Sequence, residues 1–129
     1  GIFAAAVADY TPSIISENKI KKSNRNLNIC LEKTVDILAE MGKKKNHKQF
    51  IVGFALETNN EVENAQDKLK RKNLDMIVLN SLNNKGAGFQ HNTNKISIID
   101  KANNISNFKL KDKSEVAKDI IVKIIELSE

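Results

Sequence analysis

The sequence of 129 residues predicts an α/β fold: part of a parallel sheet, a projecting β-hairpin flap and a closing amphipathic helix. Three observations lead there. Residues 2–7, 50–56 and 76–79 are apolar throughout, as strands buried on both faces are. Between the second and third runs, Val62, Ala65 and Leu69 recur at helical spacing, giving a β-α-β unit with a right-handed crossover. Near the end, Val116, Ile120, Ile121, Ile124 and Leu127 mark one apolar helix face.

In chain order, the first strand covers residues 2–7 and stops at a turn over residues 8–12, where Thr11 precedes Pro12. A strand buried on both faces needs neighbours on both sides. As the first element it must take at least one from later in the chain, from another chain or from preceding sequence, and preceding sequence is the favoured source. Residues 18–22 and 27–33 flank Ser23, Asn24, Arg25 and Asn26, and Leu27, Ile29 and Leu31 alternate with Asn28, Cys30 and Glu32. This reads as a one-sided hairpin whose outer strand has little to bury, so it projects as a flap or pairs with another subunit. Thr34 is expected to cap a short helix with Ile37, Leu38 and Met41 on its apolar face and Gly42 as its left-handed stop. Asn59 or Asn60 caps the crossover helix. After a loop over residues 83–88, residues 95–99 and 107–110 form a hairpin closed by Asn103 and Asn104. Asp112 and Glu115 have capping-box spacing ahead of the final helix. With no internal repeat and no linker, residues 1–129 read as one domain.

Composition narrows the function classes. Hydrophobic residues make up 40% and charged residues 29%, which suits a single globular core. A net charge of +5 and a pI near 9.3 favour a polyanionic partner. Aromatic residues make up only 5% and are not interleaved with the lysines, which argues against stacking on nucleic-acid bases. The run Lys43, Lys44 and Lys45 reads as solvated surface. Cys30 is the single cysteine, so an internal disulfide, a cysteine zinc cluster and a CxxC pair are excluded, and a reducing, cytoplasmic setting fits. No apolar run approaches membrane-spanning length.

Ligands of open parallel sheets bind beyond the carboxyl ends of the strands. Asp9 and Tyr10 follow the first strand. Glu57, Thr58, Asn59 and Asn60 follow the second, and Asn80 and the loop with Gly86, Gly88 and Phe89 follow the third; these segments are expected to share one rim. Asp9 reads equally as a ligand for a metal or ribose hydroxyl and as a turn aspartate. Lys68 and Lys72 lie four apart on one helix face, placed either to grip phosphate oxygens or to form a solvated basic face. Lys19, Lys21 and Lys22 sit on the flap, where they are solvent groups unless the flap closes over a triphosphate. Phe54 is core packing beside Gly53, a glycine that also allows a planar ring to approach the backbone. Gly86, Ala87 and Gly88 match no phosphate-binding loop, and His47 and His91 have no partner at ligand spacing.

Taken in order, residues 4–10, 19–22, 36–38, 53–59 and 72–75, with Gly88, Phe89, Asn92 and Asn94, resemble phosphopantothenate–cysteine ligase over residues 3 to about 100. The resemblance implies a partial Rossmann-like parallel sheet and a place in coenzyme A biosynthesis. In that reaction CTP activates the carboxylate of 4′-phosphopantothenate as an acyl-cytidylate, with magnesium assisting, and L-cysteine then displaces CMP. It implies nucleotide contacts at Phe3, Ala4, Ala5, Asp9, Lys19, Val35, Asp36, Ile37, Leu38, Phe54, Lys68 and Lys72, with Lys19 as the catalytic residue; Asp9 is also the candidate metal ligand on the residue reading above. It further implies a homodimer in which the lysine matching Lys19 crosses to the partner's site on a flexible flap. Bacterial members are usually fused behind a flavin-dependent decarboxylase.

Two departures stand out: Val35 replaces a usual proline, and Asn92 a common aspartate. The family's glycine-rich first turn and an asparagine-bearing segment would precede residue 1, so this chain alone is expected to be catalytically crippled. A non-catalytic dimerisation or nucleotide-sensing module of the same fold is the alternative.

Overall fold

The computed structural model describes residues 1–22, 26–81 and 92–129. The turn residues Ser23, Asn24 and Arg25, the loop over residues 83–88, Phe89 and His91 lie outside the described residues. In chain order the elements are β1 (Ile2–Phe3), β2 (Tyr10–Pro12), β3 (Leu31–Lys33), α1 (Ile37–Lys44), β4 (Val52–Glu57) and α2 (Glu61–Arg71). They continue with β5 (Met76–Ser81), β6 (Thr93–Asn94), β7 (Ile96–Asp100), β8 (Ile105–Asn107), β9 (Lys111–Asp112) and α3 (Lys113–Ser128).

The main sheet runs β1-β4-β5-β7-β8. Its first three strands are parallel, with Ile2 opposite Val52 and Val52 opposite Met76; β7 and β8 are antiparallel additions. The strands read as unbroken apolar runs because both faces are covered. Ala55, Ile77, Leu79 and Ile99 pack with Ala65 and Leu69 of α2, and with Leu38 and Met41 of α1. Val52, Met76, Val78, Ile96 and Ile98 pack with Val116 and Ile120 of α3. Fully burying each large side chain contributes about 1.5–3 kcal/mol. Of the predicted α3 face, Ile121 is exposed, while Ile124 and Leu127 pack against the core. Among the described residues no helix is long and apolar enough to cross a membrane.

Several local expectations need correction. Only Ile2 and Phe3 of residues 2–7 form a strand; among the described residues it pairs with β4, later in the chain. Ala4, Ala5 and Ala6 have little side chain to bury and low strand propensity, so the chain leaves the sheet there as exposed backbone. The expected hairpin has a different partner: β3 pairs with β2, not with residues 18–22. Ser13 N–H to the Cys30 carbonyl and Thr34 N–H to the Asp9 carbonyl, both 3.0 Å, extend that ribbon. Pro12 is accommodated because a two-stranded ribbon leaves one edge of each strand without a ladder partner. Beyond it, residues 13–22 and 26–30 form the projecting arm, on which Ile14, Ile15, Ile20, Leu27 and Ile29 are exposed.

Helix α1 is capped by Asp36, not Thr34: Asp36 Oδ1 accepts the Ala39 N–H at 3.0 Å. Thr34 instead donates its hydroxyl to the Ala8 carbonyl at 2.6 Å. Gly42 is not a stop either; α1 runs through it, and a Cβ there would strike the backbone carbonyl of Lys72.

Asn60 occupies the position before α2 in a left-handed conformation (φ 44°) but makes no side-chain cap. Asn64 Nδ2 donates to the Asn59 carbonyl and Glu57 Oε2, tying the first turn of α2 to the segment before it. Asp112 makes no capping box, because it is held in a β ladder opposite Thr93; the Lys113 N–H goes to the Asn92 carbonyl and Glu115 pairs with Lys118. A β7-β8 hairpin forms with Asn103 left-handed in its turn (φ 65°), but its second strand is Ile105–Asn107, starting two residues before the expected 107–110. Asp100 organises its turn by accepting from the N–H groups of Ala102 and Asn104 and from Asn104 Nδ2, each at 2.9 Å.

Candidate functional site

A cleft of ≈ 450 Å³ opens where the chain leaves β1. Residues 2–9 form one wall, residues 34–38 at the start of α1 another, and Phe54 of β4 with Lys68 and Lys72 of α2 the rest. Of the residues singled out above, Phe3, Ala4, Ala5, Asp9, Val35, Asp36, Ile37, Leu38, Phe54, Lys68 and Lys72 line it. Lys19 does not; it is exposed on the arm. The alanines leave peptide groups accessible along the wall. The two hydrogen bonds from Thr34 to the carbonyls of Ala8 and Asp9 tie that wall to α1. Phe54 is half-buried, packing on the α3-side core while presenting itself to the cleft. Gly53 serves packing, not ring approach: a Cβ would lie 2.7 Å from Leu74 Cδ1 and 2.9 Å from Leu38 Cδ2, in the core.

The basic pair is not a solvated helix face. Lys72 Nζ lies 2.7 Å from Asp36 Oδ2, and the lysine side chain is only 12% exposed against 48% for the aspartate. Partial burial pushes the Asp36 carboxyl up, but the Lys72 hydrogen bond, the Ala39 N–H and the charges of Lys72 and Arg71 together hold it below its ordinary 3.8. Lys68, half-buried beside the cleft, is pushed below its ordinary 10.5 first by burial and then by Lys72, against the opposing pull of Glu57 and Asp36. An anion entering here meets the enclosed Lys72 and the half-buried Lys68, where a charge-assisted contact is stronger than in open water.

The expected single rim is divided. Asp9 and the lysines share the cleft, whereas Thr58, Asn59, Asn60, Ser81, Lys95 and Asn107 surround a separate, wider depression beyond β4, β5 and β7. Tyr10 joins the ribbon, and Asn80 lines neither space; its Oδ1 is buried with no hydrogen-bond partner among the described residues. Glu57 lines neither space, but its charge acts on Lys68. Among the described residues no group of three or more His, Cys, Asp or Glu could hold a metal; the carboxylates lining the cleft are Asp9 and the Lys72-paired Asp36. Cys30 and His47 are exposed, away from the cleft lining.

Among the described residues, the two ion pairs with the most enclosed lysines escaped the reading of the sequence. The Asp36–Lys72 pair was detectable in part, since Asp36 directly precedes the apolar helix face and aspartate is a stronger N-cap than threonine. The second, Lys45 Nζ to Asp75 Oδ2 at 2.7 Å, hides in a lysine run: Lys43 and Lys44 are exposed, but the Lys45 side chain is 8% exposed and its partner 16%. Asp75 Oδ2 also accepts the Ile51 N–H at 2.8 Å.

Residues 1–127 match the family described as DNA/pantothenate metabolism flavoprotein C-terminal domain. A relative from an unidentified prokaryote, named Cysteine/Cysteine sulfinic acid decarboxylase, is 61% identical over 126 residues, 98% of this chain and 35% of the relative. The Coenzyme A biosynthesis bifunctional protein CoaBC of Haemophilus influenzae is 44% identical over 125 residues, 97% of this chain and 31% of that protein. A crystal structure of the C-terminal domain of a CoaBC protein superposes with a TM-score of 0.63 at 40% identity, covering 75% of this chain and 46% of the other. The chain thus spans about a third of the length of these curated relatives.

Proposed function

The chain belongs to the DNA/pantothenate metabolism flavoprotein C-terminal domain family, and on that premise we propose that it forms part of a cytoplasmic coenzyme A-biosynthetic ligase. The reaction is CTP-dependent joining of 4′-phosphopantothenate to cysteine. The observation that carries this reading is the cleft itself: a wall of small residues, a half-buried aromatic ring and two enclosed lysines meet where a nucleotide and its phosphates would lie.

In the first step a carboxylate oxygen of 4′-phosphopantothenate bonds to the α-phosphorus of CTP, and the bond to the bridging oxygen breaks, releasing pyrophosphate. In the second, the amine of cysteine attacks the acyl carbon and loses a proton, while CMP leaves with the bonding electrons. The first step brings two anions together, so Lys68 and Lys72 serve it by offsetting charge on the phosphates. Asp9 suits magnesium, which keeps most of its waters and takes one or two protein carboxylates beside nucleotide phosphates. When bound, that ion supplies further charge neutralisation. Phe3 and Phe54 offer apolar surface to the base and Ala4 and Ala5 offer backbone groups. The exposed apolar arm supports a homodimer in which Lys19 reaches the partner's cleft.

Thermal unfolding with CTP and magnesium, beside ATP, tests the reading, both in this chain and in a longer form of its relatives' length. Nucleotide at a hundredfold excess over its Kd adds about 2.7 kcal/mol. No shift with either nucleotide in either form would sink the ligase reading. In a form that turns over, Lys19→Ala lowers pyrophosphate release far more than stability; unchanged release removes Lys19 from the site. The name of the 61%-identical relative motivates a second reading, decarboxylation of cysteine or cysteine sulfinate. Nucleotide-independent release of carbon dioxide from either acid would favour it.

A further inference from the structure

Asp36 divides its carboxylate between two partners. Oδ1 accepts the Ala39 N–H that begins α1, and Oδ2 takes the Lys72 ammonium. Exposure is unequal: 12% for the lysine side chain, 48% for the aspartate. Left without a partner, the more enclosed ammonium is the costlier of the two, so the pair neutralises Lys72 when no other anion is near. Both residues line the cleft, so any anion that reaches Lys72 meets an oxygen already at 2.7 Å.

Resting on the nucleotide reading above, we infer that Asp36 is a positioning residue that holds Lys72 as a displaceable counter-ion, so that an anion binds there only by displacing a carboxylate, a cost that a polyphosphate meets more readily than a monophosphate. A polyphosphate presents several charges to Lys68 and Lys72 together and offsets the loss of the ion pair. A monophosphate presents one group and competes poorly with a carboxylate tethered to the helix. Asp36 remains ionised at neutral pH, since its carboxyl is held below the ordinary range. After cleavage of a triphosphate, the same carboxylate retakes Lys72 as the separated, less charged fragments leave. A carboxylate that touched ligand or metal directly would behave in the opposite sense, because removing it would weaken binding.

The test is D36N, which keeps an N-cap acceptor and removes the charge, with D36S as a second capping variant should D36N fold poorly. Calorimetric titration with inorganic tripolyphosphate and with inorganic phosphate at one low ionic strength is compared for wild type, D36N, K72M and the double variant. D36N is expected to bind tripolyphosphate about fivefold more tightly, the scale of a partly exposed ion pair, with a gain for phosphate as well wherever it too must displace Asp36. Adding K72M should erase both gains. Unchanged or weaker binding by D36N overturns the proposal, and so does a gain that survives K72M, since that would be a diffuse charge effect. The two readings fail separately. If wild type binds neither CTP nor tripolyphosphate, the nucleotide reading fails; D36N that then acquires tripolyphosphate binding sustains the counter-ion role, and D36N that stays silent removes it too.

Discussion

Gly42 of α1 packs its α-carbon against the backbone carbonyl of Lys72, and Asn73 Nδ2 donates to the Gly42 carbonyl at 2.8 Å. This contact docks α1 on the end of α2, and with it Asp36 on Lys72. In an open helix Gly→Ala gains about 1 kcal/mol. Here the added methyl collides with backbone that cannot turn aside, so Gly42→Ala is expected to destabilise by about 1–3 kcal/mol net. Urea unfolding measures it; unchanged or increased stability would show that the helices separate without cost.

Lys45, directly after α1, and Asp75, directly before β5, pin that same C-terminal end of the helix to the sheet. Asp75→Ala strands an enclosed ammonium and the Ile51 N–H together, an expected loss of about 3 kcal/mol. Lys45→Met leaves Asp75 its backbone donor and replaces the stem with apolar volume, so it should cost less. If the two variants unfold at the same urea concentration, the ordering of the two groups is wrong.

These pairs also explain which parts of the fold were legible. Strands β4 and β5 could be read because burial on both faces requires unbroken apolar runs, and α2 because Ala65 and Leu69 repeat at helical spacing. The truncation of β1 at Phe3 was hidden: apolar character alone does not separate Ala4, Ala5 and Ala6 from strand residues. The pairing of β2 with β3 was masked by Thr11 and Pro12, whose local chemistry signals a turn. Most cleft residues were recognised from motif order, since the wall is made by stretches of consecutive residues. Their electrostatics were not, because Asp36 and Lys72 are neighbours only after α1 docks on α2.

The Asp36 carboxyl gives a pH signature. Its folded pKa lies below the ordinary 3.8, so its contribution to stability is fully present above 3.8 and is lost as pH falls through the lower folded value. Wild type should exceed D36N modestly in urea midpoint at pH 7, with the gap closing below about pH 3.8 as the carboxyl protonates. A gap constant from pH 7 to pH 2.5 would mean the charge adds nothing to the fold.

Lys68 separates binding from folding most cleanly. Its ammonium is half-buried and pushed below the ordinary range by burial and by Lys72, so its charge is held at a cost. Lys68→Met keeps the stem's packing and removes that charge, and should leave stability unchanged or slightly raised. If the ammonium meets a phosphate, the same change forfeits a charge-assisted contact of about 1.5–3 kcal/mol, or roughly 10- to 100-fold in nucleotide affinity. Stability retained while CTP affinity falls is the signature of a residue kept for its ligand at the fold's expense. Equal losses in melting temperature and affinity would make Lys68 a structural residue, and undiminished affinity would place the phosphates elsewhere.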